Sequence, residues 1–179
     1  MLPKCYGLRI FSQKCRLLNN FSSMAAIVTA LSSTVLTQLH MTWAHVSRKS
    51  TLEALLRYNE PTGGFSGYRS LLQQVEGSCV PFITMYLTDI IHASQHSRDE
   101  NDIIFFFQRA RWHEVVTQML KFQSRPYKIA PSETTTQFIE AHLREVLCDD
   151  NWFWQRSKEL QQTEAAHADI RKGLEAAGF

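Results

Sequence analysis

The sequence predicts an all-α fold, a single irregular multi-helix domain with a protruding helical hairpin over about residues 82–123. Three kinds of observation predict it. Apolar residues recur at three- and four-residue steps in one stretch after another, which is the spacing of a helix face, and no run alternates with the period of a strand. Capping residues stand ahead of several of these stretches. Prolines and paired glycines fall between the stretches.

Composition narrows the function classes. With 179 residues, 44% of them hydrophobic and 20% charged, the chain has the make-up of one ordinary globular domain. A net charge of +2 carries little information about partners, and no nucleic acid is expected among them. Charge is nonetheless uneven: Lys4, Arg9, Lys14, Arg16, Arg48 and Lys49 all precede the first acid, Glu53. A basic, acid-free start is the composition of a mitochondrial transit peptide as well as of a folded helix, and the helix is the favoured reading. Met24–Leu36 is the most apolar window, but serines and threonines interrupt it and it falls short of the ~20 apolar residues of an integral membrane span. Cys5, Cys15, Cys79 and Cys148 are scattered, which indicates reduced thiols rather than disulfides or a metal site. No glycine-rich phosphate loop, nucleophile elbow or His-Glu-x-x-His is present, so neither a cofactor nor covalent enzyme chemistry is expected.

Leu8, Phe11, Cys15 and Leu18 form the first helical stripe, and Asn19-Asn20 breaks it. Phe21–Leu31 continues as a second helix, Ser32-Ser33-Thr34 is a break, and Val35–Trp43 resumes helical spacing. Ser50 with Glu53 reads as a capping box for a helix bearing Leu52, Leu55 and Leu56. Asn59–Gly64 is the clearest loop, and Phe65–Val75 follows with Tyr68, Leu71, Leu72 and Val75 on one side.

The hairpin comes next. Pro81 suits the first turn of its first helix, where a missing N–H goes unnoticed. That helix is apolar on most sides, so burial along much of its length is expected. Thr84, Thr88, Ile91 and Gln95 fall at helical steps and share one face. Ser97 and Glu100 form a second capping box, and a helix from there to Gln123, stopped by Pro126, would be roughly 35–40 Å long. Pro126–Pro131 is extended. A helix bearing Phe138, Ile139, Leu143, Val146 and Leu147 follows, then one capped at Asp149-Asp150-Asn151 with Trp152, Phe153 and Trp154 near its start.

Several of these stretches resemble the catalytic domain of the Ras guanine-nucleotide exchange factors, from about Phe11 onward. Leu18-Asn19-Asn20-Phe21-Ser22, Cys79-Val80-Pro81-Phe82 through Tyr86-Leu87-Thr88-Asp89, and Phe122-Gln123-x-x-Pro126-Tyr127 carry the resemblance in order and at matching spacing. The closing Gly-Leu-x-x-x-Gly-Phe is similar to fungal members. The resemblance implies a Ras-like small GTPase as partner. The hairpin would enter beside the nucleotide, displace the first switch and disturb the phosphate and metal sites, making and breaking no covalent bond. Because coupling between two ligands is reciprocal, a factor that prefers the empty GTPase loosens its nucleotide equally. A 10⁴-fold weakening takes about 5.5 kcal/mol of differential contact.

Matched residue by residue, the resemblance assigns Thr88, Ile91, Gln95 and Ser97 to the hairpin's GTPase contact. Ser32 and Phe65 match further contact positions, and Asn19, Asn20, Phe21, Pro81, Phe82, Gln123, Pro126 and Tyr127 belong to structural motifs. Residues 1–179 would be a partial catalytic domain, its C-terminal portion, with residues 1–10 as sequence outside it. The family commonly has Glu, Asn and Asn where this chain has Gln95, Ser97 and Ser32, so the hairpin brings no carboxylate at Gln95. The expected location is the cytoplasm, with recruitment to a membrane-bound GTPase at the inner face of the plasma membrane. The alternative function is a degenerate fragment that binds a GTPase or regulator without catalysing exchange.

Overall fold

The computed structural model describes residues 2–46, 49–95, 104–145 and 149–177. Helices run through them in the order α1 (Leu2–Leu17), α2 (Phe21–Ser32), α3 (Thr34–Thr37), α4 (His40–Ala44), α5 (Lys49–Asn59), α6 (Thr62–Gln73), α7 (Ile83–Gln95), α8 (Phe106–Leu120), α9 (Glu133–Glu145) and α10 (Asp150–Ala176). Among the described residues the extended pairing is confined to one isolated parallel bridge, between Asn20 and Val80. The all-α expectation holds. The chain divides into two compact units, one made of Gly7–Thr29 and Ser50–Tyr127, the other of Met1–Tyr6, Ala30–Lys49 and Lys128–Phe179.

The first of these units is built on an aromatic cluster. Phe21 meets Tyr68 edge to face with ring centres 5.4 Å apart, and Phe82 meets both Tyr68 and Phe65 at 5.9 Å. Such pairs contribute about 0.5–1.5 kcal/mol each beyond the area they bury. Met24, Ala25 and Val28 of α2, Leu52 and Leu55 of α5, and Met85 and Tyr86 of α7 complete the core. The α1 stripe differs from the sequence reading. Cys15 is buried together with Ser12, whereas Leu8, Phe11 and Leu18 are exposed. Asn19 adopts a left-handed backbone (φ 55°), and the bridge from Asn20 to Val80 then fixes which side of α1 is covered.

Three further elements depart from expectation. Ser50 lies within α5, which already includes Lys49, so it is not the first cap of that helix. Val35–Trp43 is two short helices, because Leu39 takes a non-helical ψ of 71°. Pro81 stands ahead of α7 rather than in its first turn. The amide of Phe82 donates to the Tyr68 hydroxyl at 2.5 Å, and Val80 is bridged to Asn20, so the segment leading into α7 is held extended.

The hairpin also takes a different form. α8 begins at Phe106, after Phe105 in an extended conformation, and its 15 residues span roughly 22 Å rather than 35–40 Å. The Ser97–Glu100 capping box lies outside the described residues. α7 is less buried than its composition suggests. Met85 and Tyr86 face the core, while Ile83, Leu87 and Ile91 are about half exposed. An apolar composition on most sides leaves a helix free to choose which side it covers, and α6 and α8 cover only one.

In the other unit α10 packs on α3 and α4. The Ser157 hydroxyl, buried, donates to the Val35 carbonyl and accepts from Gln38 Nε2. The Glu164 carboxylate accepts from the Met41 amide at 3.0 Å, the Thr42 amide at 2.9 Å and the Thr42 hydroxyl at 2.5 Å, and so satisfies the open amides of α4. Burial pulls the Glu164 carboxyl upward, but these donors and His40 outweigh it and hold it below its ordinary value. Asp149 caps α10 as expected, accepting from the Trp152 amide at 2.8 Å. α9 buries none of its residues, and Phe138, Ile139 and Leu143 are exposed.

Candidate GTPase-contact site

The residues of the recognisable motifs meet at one knot in the first unit. Asn19 donates through Nδ2 to the Ser78 carbonyl at 3.3 Å and accepts at its own carbonyl from the Val80 amide at 3.0 Å. Asn20 caps α2, its Oδ1 accepting from the Ser23 amide at 3.1 Å. The Phe21 amide donates to the Val80 carbonyl at 2.9 Å, the Ser78 hydroxyl to the Pro126 carbonyl at 2.9 Å, and the Tyr127 hydroxyl to the Leu18 carbonyl at 2.5 Å. Asn19, Asn20, Phe21, Pro126 and Tyr127 thus share one network at the foot of α7, with Pro81 and Phe82 continuing from it. Gln123 is not part of this network. It is exposed in the turn after α8, where its amide donates to Leu120.

From this foot α7 and α8 pack side by side, more extensively than any other helix pair among the described residues. Gln108 of α8 is buried, and its Nε2 donates to the Ala93 carbonyl of α7 at 3.4 Å. Beside them lies an open groove of about 860 Å³, lined by Pro61, Gly64 and Phe65 on one wall and by Thr88, Asp89 and His92 on another. Phe105 and Phe107 of the hairpin border it as well.

The wall at residues 61–65 has an unusual backbone. Gly63, Gly64 and Phe65 are all left-handed, with φ of 64°, 63° and 60°. Glycine takes this conformation freely, whereas a bulky residue there costs of order 1–3 kcal/mol and persists only where its surroundings impose it. Phe65 is buried, against Phe82. Arg69 spans from this turn to α7. Its Nε donates to the Gly64 carbonyl at 2.6 Å, and its Nη2 meets both Asp89 oxygens at 2.7 and 2.8 Å.

The predicted contact residues distribute unevenly. Thr88 is half-exposed on the groove, its hydroxyl donating back to the Thr84 carbonyl at 2.9 Å. Ile91 is 56% exposed, and Gln95, the last residue of α7, is exposed too. Phe65 adjoins Thr88 across the groove but as a buried ring. Ser32 ends α2 and belongs to the other unit. Ser97 lies outside the described residues. Sequence reasoning missed Arg69, which lies outside the stretches that carry the resemblance; its partner Asp89 closes the Tyr-Leu-Thr-Asp stretch.

Burial raises several thiols and phenols of this unit. It pushes the Cys79 thiol up to about 11 and the Tyr86 hydroxyl up to about 12, and raises Tyr68 as well. Among the described residues no group of three His, Cys, Asp or Glu side chains is placed to hold a metal ion.

The sequence profile of the RasGEF domain matches residues 9–110, which takes in Asn19, Asn20 and Phe21 of the motif knot, the Gly63–Phe65 turn, α7 and the start of α8. Cell division control protein 25 of Saccharomyces cerevisiae is 35% identical over 142 residues, covering 75% of this chain and 9% of that protein. Ras guanine nucleotide exchange factor efc25 of Schizosaccharomyces pombe is 30% identical over 154 residues, covering 83% of this chain and 16% of its own length. Ras-specific guanine nucleotide-releasing factor 2 of Danio rerio is 28% identical over 129 residues, 70% of this chain and 10% of that protein. The chain therefore spans only a small part of the curated relatives that it matches. With a family profile over more than half its length, including all of α7, the chain belongs to the RasGEF domain family.

Proposed function

We propose that the chain acts on a Ras-like small GTPase as a guanine-nucleotide exchange factor, with α7 and α8 as the wedge that meets the nucleotide site. The observation that carries this reading is an α7 face with Ile91 and Gln95 exposed and Thr88 partly so, on a helix inside the segment matching the RasGEF domain. The reaction needs no bond making. The factor holds the empty GTPase better than the loaded one, and linkage turns that preference into nucleotide release. A wedge must be stiff, since a flexible one would lose its differential contact energy to ordering. The Arg69–Asp89 pair, Gln108 and the motif knot supply that stiffness. No helix among the described residues is long and apolar enough to cross a membrane. A membrane-bound GTPase would draw the chain from the cytoplasm to the inner face of the plasma membrane.

The test is release of fluorescent GDP from a panel of Ras-like GTPases, with and without the chain at micromolar concentration. Acceleration of release from at least one of them is expected. Detectable binding with no acceleration would replace this reading by the second one, a fragment that holds a GTPase without emptying it. The neutral Gln95 favours that second reading, because no carboxylate enters the vacated phosphate and metal region there.

A further inference from the structure

We propose that Arg69 is a positioning residue for exchange, one that locks the left-handed Gly63–Phe65 turn onto α7 and so sets the width of the groove beside Thr88. The proposal rests on the exchange-factor reading and goes beyond it, because Arg69 lies outside the stretches that carry the resemblance and on neither α7 nor α8. Three observations carry it.

The Gly64 carbonyl and the Phe65 amide belong to one peptide plane. A donor that grips this carbonyl at 2.6 Å therefore restrains the rotation that sets the φ of Phe65. At φ 60° that residue would otherwise relax toward negative φ and withdraw its ring from Phe82. The same guanidinium reaches Asp89, whose neighbour Thr88 lines the groove, so one side chain joins both walls. The adjacent residue, Tyr68, accepts from the Phe82 amide where the chain enters α7. Consecutive residues of α6 thus hold the entry and the flank of the hairpin's first helix. Arginine suits the task because its nitrogens are fixed in a plane and point at both partners together. A lysine ammonium is a single point that cannot occupy both places.

The experiment uses the full chain and the variants Arg69→Ala, Arg69→Lys and Asp89→Ala. Two measurements are made: deuterium uptake by mass spectrometry over residues 61–67 and 84–95, and fluorescent-GDP release from a Ras-like GTPase that responds to the unaltered chain. In all three variants, uptake is expected to rise in both segments and stay unchanged in α2 and α5. Maximal release should fall roughly tenfold, the middle of the range for coupling within one network, while the half-saturating chain concentration holds. Loss of maximal rate without loss of binding is what a merely structural role would not produce.

The proposal is overturned if Arg69→Lys matches the unaltered chain in both measurements, if uptake rises in only one segment, or if it rises in α2 and α5 as well. It is also overturned if release proceeds at the original rate in Arg69→Ala and Asp89→Ala. Should the unaltered chain neither bind nor empty any GTPase, the exchange reading fails. The deuterium measurement then still decides whether Arg69 locks the turn onto α7.

Discussion

Single residues set how the hairpin can meet a partner. Ile91 is apolar, 56% exposed and on the same helix face as Thr88 and Gln95. An exposed isoleucine contributes little to folding, so Ile91→Asp should change stability by no more than about 0.5 kcal/mol. If the α7 face is the contact, the same substitution should weaken GTPase binding by about 2 kcal/mol or more, roughly thirtyfold. Circular dichroism and a binding titration together separate these effects, and equal losses in both would make Ile91 a core residue. Phe65 illustrates the opposite case. Its match to a family contact position was legible in the sequence, but its burial was not. Burial goes with a left-handed backbone at Phe65, in a turn that two glycines permit and whose Gly64 carbonyl accepts from Arg69.

At the scale of elements, the short helices α3 and α4 depend on α10. A helix as brief as His40–Ala44 has no stability of its own, and its open amides are satisfied by Glu164 from far along the chain. Because the Glu164 carboxyl is held below its ordinary value, its contribution is present above that value and is lost as the pH falls through the depressed one. Acidification into and below the carboxylate range should therefore loosen α4 from α10, and Glu164→Gln should produce the same loosening at neutral pH. Trp43 sits on α4 with its indole N–H donating to the Leu36 carbonyl at 2.7 Å, so its environment reports the change. Tryptophan fluorescence across a pH series is the measurement, compared with a Trp43→Phe control to isolate this indole. An unchanged Trp43 signal in Glu164→Gln would show that the cap contributes nothing.

For the molecule as a whole, the described thiols and phenols that resist ionisation lie in the unit that carries the hairpin. Tyr86 is raised from 10.0 to about 12 and Cys79 from 9.0 to about 11, both first of all by burial. The fold favours their neutral, protonated forms. Their contribution is complete below the ordinary values and is lost as the pH rises through the raised ones. The melting temperature should therefore hold from neutral pH to about 9 and then fall by roughly 10–20 °C toward pH 12, as expected for shifts of this size in a chain of this length. Thermal melts followed by tyrosinate absorbance check it. A flat profile would mean that these side chains are open to solvent.

Much of this protein was legible from residue order alone. Helical periodicity gave the fold class. The Asn19-Asn20 break, the Asn59–Gly64 loop and the Asp149 cap were readable because each depends on a few neighbouring residues. The motif residues were recognisable together, and the knot they form is the foot of the hairpin. Only the tertiary structure decided which side of α1 and α7 is covered, where α8 begins, and that Arg69 links the Gly63–Phe65 turn to Asp89. The division has a physical cause. Capping, chain reversal and periodicity act over a few residues, so sequence determines them locally. The choice of a helix's buried face, and a contact across 20 residues, depend on what other segments are brought alongside.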